Sequence, residues 1–352
     1  MDSSVLTIDI DEDSGRITRA KNVDYSVRSI DKLLSTPANA AVTKACLDLD
    51  KMRDDLDASF ILRADESPKN ILESLAARIF KIHTRGASNF ERSKSGCEWW
   101  VQVRALTSDD VEESKPGGGE DECEEELKGE SIQFHWDKDE VMGAIHGVYL
   151  FPALSTVTYL TDAGAPTVVV PKRMSPDGQL EVASSSGDVF LSYPSKGKHT
   201  VFDGRFLHAV PAELRHSTSS EERSRVTFLV NVWLDHLPVG LERFPSGILP
   251  LMEPSAASNT NASGELRAPV TLSYSNGSSL KATAFSFPLR ISSDVSIELF
   301  LPNEVLEASK ANQPFSCHLQ LPEQKAPRIS AADYGQSESE GSAPPSKRPR
   351  KE

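Results

Sequence analysis

Two histidines, one aspartate and a later arginine are the residues of this chain whose types and spacing could do chemistry. His135 and Asp137 are separated by a single residue, and His208 lies far downstream in the segment FDGRFLHAVP. Two imidazoles and one carboxylate can hold one face of a divalent iron ion and leave the opposite positions open for other ligands. On an extended strand, the side chains of His135 and Asp137 project from the same side, so both can face one ion.

A cationic residue follows the last of these histidines. Arg225 begins a strand-like segment, and its planar fork can grip a carboxylate through two hydrogen bonds. Arg223 is a rival, because it alternates to the same face of the strand. Arg225 is preferred because Thr227 completes an RxT motif while Val226 and Phe228 form the apolar face.

Short strands separated by turns surround these residues. The predicted strands cover residues 132–137, 155–161, 167–170, 188–193, 200–202, 206–210 and 225–234. Turn signals such as Asp162-Ala-Gly164 separate them. Such a series is typical of a two-sheet β-sandwich or jelly roll. The predicted fold class is therefore mainly β with flanking helices around a double-stranded β-helix (jelly roll) core.

The flanking helices are predicted upstream of this region. An apolar helical period runs through residues 39–63, and a second helix is expected to begin with Ser67 as cap and Pro68 in its first turn. A strand rich in aromatic and β-branched residues follows at 99–104. The two helices are expected to cover one of the sheets.

Composition divides the chain into four parts. Residues 1–38 are polar and are predicted to form a flexible N-terminal arm. Residues 39–250 form the jelly-roll domain, with an acidic loop insertion at 107–130 that lacks the alternating aspartates of a calcium loop. Residues 251–323 are predicted to be a Ser-rich β appendage of unknown role, and residues 324–352 a disordered tail.

Charge and cysteine usage narrow the class of protein. The 352 residues carry a formal net charge of −14, which disfavours general binding to nucleic-acid phosphates. The four cysteines form no CxxC pair, which fits a reducing compartment. With no signal peptide and no apolar run long enough to span a bilayer, a soluble protein of the cytoplasm or nucleus without a membrane partner is expected. The basic segment 347–351 is either a nuclear import signal or a solvated end.

The HxD pair, the later histidine and the RxT motif together resemble the iron(II)/2-oxoglutarate-dependent dioxygenase superfamily. The similarity is closest to its prolyl 4-hydroxylase-like branch and covers residues 131–234, less than a third of the chain. In that family the return from the last histidine to the arginine is usually shorter, so the polar stretch 213–224 is interpreted as a loop extension. The resemblance implies the following site residues: His135, Asp137 and His208 as metal ligands, and Arg225, Thr227 and Tyr159 as residues that bind 2-oxoglutarate.

The resemblance also implies an activity. Oxidative decarboxylation of 2-oxoglutarate to succinate would be coupled to hydroxylation of a protein side chain, with proline favoured, or of a small molecule. Fe(2+) is the implied cofactor, 2-oxoglutarate and O2 are the co-substrates, and L-ascorbate is a candidate reductant. Two alternatives stay open: a catalytically silent jelly-roll interaction module, and nucleic-acid demethylation by the same oxidant, which the net charge disfavours. The fold class alone determines neither the substrate nor the oligomeric state.

Overall fold

The computed structural model describes residues 10–11, 15–52, 56, 58–106, 131–180, 187–215, 222–251, 264–275, 280–309 and 315–331. Several predictions from the sequence lie outside these residues: the acidic insertion at 107–130, most of the loop extension after residue 215, and the basic segment 347–351. Within the described part of the chain, no helix is both long and apolar enough to cross a bilayer.

The secondary structure is dominated by strands. In chain order they are β1 (Arg28–Ile30), β2 (Phe60–Arg63), β3 (Gly96–Ala105), β4 (Ile132–His135), β5 (Leu154–Tyr159), β6 (Thr167–Val170), β7 (Asp188–Ser192), β8 (His199–Asp203), β9 (Leu207–Val210), β10 (Ser224–Trp233), β11 (Val270–Ser273), β12 (Ala282–Leu289), β13 (Ser292–Pro302), β14 (Ser316–Gln320) and β15 (Arg328–Ala331). The α-helices are α1 (Thr36–Asp50), α2 (Ile71–Thr84), α3 (Glu140–His146) and α4 (Asn303–Ser309).

These strands form two sheets. The six-stranded sheet has the order β1-β8-β5-β10-β3-β2, and the nine-stranded sheet has the order β11-β14-β7-β6-β9-β4-β12-β13-β15. Helices α1 and α2 contact β3 and β10 of the smaller sheet. The prediction of a mainly β protein with a jelly-roll core and flanking helices is confirmed.

Strand β10 shows how the smaller sheet serves two purposes. Every second residue is apolar and packs in one buried cluster with α1 and α2; these residues are Val226, Phe228, Val230 and Val232. The intervening residues, among them Arg225, Thr227 and Asn231, point toward the larger sheet because side chains alternate along a strand. One face of β10 therefore builds the core, and the other face builds a site.

Two local predictions differ from the structure. Residues 60–63 form β2, not helix, because the run FILR pairs with the edge of β3, where Phe60 lies opposite Trp99. The second helix is not capped by Ser67: the Asn70 side chain accepts a hydrogen bond from the Glu73 backbone N–H at 2.8 Å. An Asn with extended backbone satisfies one of the free N–H groups that begin every helix.

The segments predicted as appendages are built into the sheets. Strand β12 continues the larger sheet by pairing in parallel with β4, where Leu289 lies opposite Phe134. Residues 324–331, assigned to the tail by composition, include β15, which pairs with β13. Within the predicted N-terminal arm, β1 pairs with β8. Backbone hydrogen bonds stabilise these additions, and composition does not reveal them.

Candidate metal centre and co-substrate pocket

The three predicted ligands converge in the larger sheet. His135 ends β4, His208 lies on the adjacent strand β9, and the register places the two residues opposite each other. The Asp137 carboxylate follows β4 and lies 3.6 Å from Nε2 of His135 and 3.5 Å from Nε2 of His208. One ligand atom from each residue lies within 4.8 Å of the others. Residues far apart in the chain are thus brought to one point.

Backbone carbonyls orient both imidazole rings. Nδ1 of His135 lies 2.8 Å from the carbonyl oxygen of Gln133, and Nδ1 of His208 lies 3.0 Å from that of Phe206. A carbonyl oxygen only accepts, so Nδ1 donates in each contact. The Nε2 atoms then keep their lone pairs on the side of Asp137. This second hydrogen bond is the usual support of metal-binding histidines.

The charge state of the cluster suits a cation. Burial alone would raise the pKa of Asp137, but His208, His135 and a 3.0 Å hydrogen bond from Ser155 outweigh it and hold the pKa well below its ordinary value. Burial lowers the pKa of His208 to about 4, against the opposing effect of Asp137. At neutral pH the carboxylate is charged and His208 is neutral, which are the forms that bind metal.

The spacing of the donors fits a divalent metal ion. Ligands at right angles on bonds of about 2.1 Å stand about 3.0 Å apart. The distances from Asp137 to the two histidines, 3.5 and 3.6 Å, exceed this value by an amount that small side-chain rotations remove. Two imidazoles and one carboxylate on one face are the donor set of non-haem iron(II) sites with open positions.

The donor atoms open into a cavity of about 290 Å³ between the two sheets. Arg225 lies in its wall and is only 1% exposed. Its Nε donates to the carbonyl of Ala165 at 3.2 Å, and its Nη2 donates to Oγ1 of Thr167 at 3.1 Å. The rival Arg223 is exposed. Of the two arginines, Arg225 is the one that reaches the cavity.

The backbone of Gly164 packs closely against the Arg225 side chain. A Cβ atom at Gly164 would lie 2.7 Å from Cδ of Arg225, and Gly164 has a φ of +107°, which L side chains rarely adopt. The turn signal Asp162-Ala-Gly164 in the sequence therefore creates the close approach that positions the guanidinium.

Thr227 and its cross-strand neighbour Gln102 each hold a buried polar atom that needs a partner. Thr227 is fully buried on the Arg225 face of β10, and Gln102 lies opposite it on β3. Within the described part of the chain, neither the Thr227 hydroxyl nor the Gln102 side-chain oxygen has a hydrogen-bond partner. Unpaired buried polar atoms cost free energy, so a ligand that reached this pair would satisfy both atoms. Gln102 lines the cavity, whereas Thr227 is not among the residues that line it.

Tyr159 lies one layer behind the cavity, which differs from the expectation that it contacts the co-substrate. Its hydroxyl lies 2.8 Å from Oγ1 of Thr167 and 2.8 Å from the carbonyl oxygen of Ser192. Because that carbonyl only accepts, the Tyr159 hydroxyl donates to Ser192 and accepts from Thr167. The ring centroid lies 5.5 Å from the Arg225 guanidinium carbon. Tyr159 therefore supports Arg225 through Thr167.

Strand β3 supplies a second cavity wall that the sequence did not reveal. Its inward-facing residues line the cavity: Glu98, Trp100, Gln102 and Arg104. The alternate residue Trp99 is fully buried in the core on the other side. Polar and apolar residues alternate in this segment, and this alternation predicts a strand without showing that its polar face lines a cavity. Asn231 on β10 and Arg290 after β12 complete the missed set.

Comparisons with known proteins give only distant similarities. No family model matches the chain, and no curated protein matches it. Among solved structures, the chain is similar to a Pseudomonas putida prolyl-4-hydroxylase, with 13% identity, 59% of this chain and 85% of that chain covered, and a TM-score of 0.32.

Two further solved structures are similar to the chain at comparably low identity. EctD from S. alaskensis in its apoform has 17% identity, with 62% of this chain and 78% of that chain covered and a TM-score of 0.33. HygX from Streptomyces hygroscopicus, with nickel and 2-oxoglutarate bound, has 9% identity, with 62% and 84% covered and a TM-score of 0.29. Similarities this distant carry no argument about function, which depends on the residues of the site.

Proposed function

We propose that this chain is an iron(II)- and 2-oxoglutarate-dependent dioxygenase. The proposal rests on one observation: the ligand atoms of His135, Asp137 and His208 lie within 4.8 Å of one another at a cavity whose wall also holds the buried Arg225. A lone buried histidine is usually a structural residue. Three donors of the right types, with a fixed cation in the same cavity, are what a metal and a dicarboxylate co-substrate need.

Each residue has a defined task in this proposal. His135, Asp137 and His208 would hold the iron, which supplies the open ligand positions and the oxidising chemistry when bound. The Arg225 guanidinium would bind the distal carboxylate of 2-oxoglutarate, and the Thr227 hydroxyl would donate a hydrogen bond to it. The apolar residues of the wall, Val157, Leu229 and Trp100, limit the access of water.

The overall conversion in this proposal takes 2-oxoglutarate and O2 to succinate and carbon dioxide, with one oxygen atom added to a substrate C–H bond. The substrate is a protein side chain or a small molecule, and the resemblance in sequence favours proline among side chains. Ascorbate is included as a reductant that keeps the iron in its divalent state. The nucleus or cytoplasm is the proposed compartment.

The deciding experiment measures metal content, 2-oxoglutarate binding and succinate formation on purified protein. With iron(II) and ascorbate present, the unmodified chain should form succinate, and His135→Ala, Asp137→Ala and His208→Ala should each lose bound iron and this activity. His146→Ala is the matched control, because His146 is exposed at the end of α3.

Two results would contradict the proposal. Full activity in the three alanine variants would refute the assignment of the ligands. A folded protein that takes up no divalent metal and binds no 2-oxoglutarate would instead favour the catalytically silent interaction module.

A further inference from the structure

Three residues form a row across the smaller sheet, beside the proposed metal ligands. Ser155 on β5 lies opposite Asn231 on β10, and Asn231 lies opposite Glu98 on β3. Ser155 donates a hydrogen bond to the Asp137 carboxylate, so this row lies next to the ligand cluster. Neighbouring strands are about 4.8 Å apart, which places the Glu98 backbone about 10 Å from that of Ser155. Both Asn231 and Glu98 line the cavity.

The Glu98 carboxylate is held in place by neutral donors. Oε1 accepts from the Ser59 hydroxyl at 2.9 Å, and Oε2 accepts from Nε1 of Trp233 at 3.1 Å and from Nδ2 of Asn231 at 3.4 Å. An ionised carboxylate offers about four acceptor positions, so one position is left for the cavity. Among the donors that the structure describes for Glu98, none is a cation.

Asn231 adds an acceptor that needs a donor. Its amide nitrogen points to Glu98, so its side-chain oxygen points elsewhere. Asn231 is 2% exposed, and within the described chain this oxygen has no hydrogen-bond partner. Together with the Gln102 side-chain oxygen, the wall offers acceptors to any ligand in the cavity. A ligand that satisfies them must carry N–H or O–H donors.

Charge is distributed unevenly along this wall. Glu98 lies at the end next to Asp137, whereas Arg104 lies six residues further along β3, about 20 Å away, opposite Arg225. The cationic end therefore suits the carboxylate of the co-substrate, and the acidic end lies beside the metal ligands. Burial and the nearby Asp137 carboxylate raise the pKa of Glu98 to about 7. A cation bound at the cavity face of Glu98 would lower this pKa and stabilise the charged carboxylate.

We infer that Glu98 and Asn231 form the subsite for the primary substrate, and that this substrate carries a nitrogen cation with N–H donors, an ammonium or guanidinium group. The inference rests on the proposed function and names the substrate class of the same site. A proline ring within a peptide has no such group, so the subsite favours a basic substrate over proline. The reacting carbon of the substrate lies between this cationic group and the metal ligands.

The test compares probes with a cationic side chain and probes with a neutral side chain of similar length. The probes are Nα-acetylated arginine and lysine, their counterparts Nα-acetylated citrulline and norleucine, and capped peptides with each of these residues or proline at the centre. Binding is measured by calorimetry on the nickel-loaded protein with 2-oxoglutarate present, and gain of one oxygen is measured by mass on the iron-loaded protein. The acetylated amino acids and the peptides separate a small molecule from a protein side chain as the source of the cation.

The expected result is that at least one cationic probe binds ten times more tightly than its neutral counterpart or more, since each tenfold corresponds to 1.4 kcal/mol. Glu98→Gln keeps the size of the side chain and removes its charge, so it should abolish this preference and leave 2-oxoglutarate binding intact. Glu140→Gln is the control, because Glu140 is exposed at the rim and pairs with Lys138 at 2.6 Å.

Three outcomes overturn the inference: neutral or proline probes that bind as tightly as cationic ones, a preference that survives Glu98→Gln, or no binding of any probe. The comparison of arginine with citrulline needs no variant, so it decides the inference even if Glu98→Gln does not fold. If nickel-loaded protein fails to bind 2-oxoglutarate itself, the proposed function has failed instead, and the two failures are thereby distinguished.

Discussion

The replacement Arg225→Lys separates the geometry of the cation that we propose for the co-substrate from its charge. A lysine keeps the positive charge but replaces a planar fork of donors with a compact ammonium. In the structure, two guanidinium nitrogens are oriented by Ala165 and Thr167 while the side chain remains in the cavity wall. The variant should therefore weaken 2-oxoglutarate binding without changing the metal ligands.

The expected magnitude follows from the contacts that are lost. A hydrogen bond that involves a charged group contributes about 1.5 to 3 kcal/mol, so loss of one prong raises the dissociation constant of 2-oxoglutarate by about 10- to 100-fold. The Ala165 carbonyl and the Thr167 hydroxyl also lose a donor. Leaving a buried acceptor unsatisfied costs about 1 to 3 kcal/mol, and the free energy of unfolding should fall by about that amount.

Calorimetry on the nickel-loaded protein measures the dissociation constant of 2-oxoglutarate, and urea denaturation measures the free energy of unfolding. Arg223→Lys is the matched control, because Arg223 lies two residues away on an exposed position. Nickel content should be the same in all three proteins. An unchanged dissociation constant in Arg225→Lys, or an equal rise in Arg223→Lys, would refute the assignment of Arg225.

Three other replacements probe the surroundings of Arg225. Gly164→Ala places a methyl group 2.7 Å from Cδ of Arg225 at a φ of +107°, so the free energy of unfolding should fall by about 1 to 3 kcal/mol in urea denaturation; an equally stable variant would show that the turn adapts. Tyr159→Phe removes the acceptor for the Thr167 hydroxyl, and the 2-oxoglutarate dissociation constant should rise about 3- to 10-fold while the maximal rate stays the same; a drop in rate alone would contradict this positioning role. Burial lowers the pKa of Lys198 from 10.5 to about 7 in the folded protein. Between these two pH values the unfolded chain binds more protons than the folded one. The free energy of unfolding is therefore lowest below pH 7 and rises as the pH increases to 10.5. Lys198→Met should flatten this rise, which is on the order of 3 to 5 kcal/mol, and an unchanged pH slope in denaturation from pH 7 to 10 would show that another group causes it.

The convergence of the three proposed ligands was predictable because residue type alone restricts the chemistry that they can do. His135 ends β4, Asp137 follows it and His208 lies on β9, so the prediction of short strands in this region brought the three residues close together. The choice between Arg225 and Arg223 needed coordinates, since both alternate to one face and only burial separates them. Tyr159 shows the limit of the motif: its position in the strand was predicted, but its depth behind Thr167 depends on packing between layers.

The second wall of the cavity was beyond prediction for a different reason. Glu98 is one carboxylate beside two tryptophans, and no local pattern distinguishes it from a solvated residue at a strand end. The role proposed for Glu98 depends on the register of the strands. Glu98 lies opposite Asn231, and Asn231 lies opposite Ser155 on the next strand. Register between distant strands follows from the pairing of the whole sheet, so it is not encoded in any short segment.

The parallel contact between β12 and β4 gives the strand that carries His135 a neighbour that is synthesised much later. Strand β4 carries His135 and lies between β9 and β12, so its outer backbone groups stay unpaired until the C-terminal segment has left the ribosome. Until then the nascent protein exposes an unpaired strand edge, and such an edge can pair wrongly with other polypeptides. A shortened protein that stops at residue 250 would keep that edge permanently.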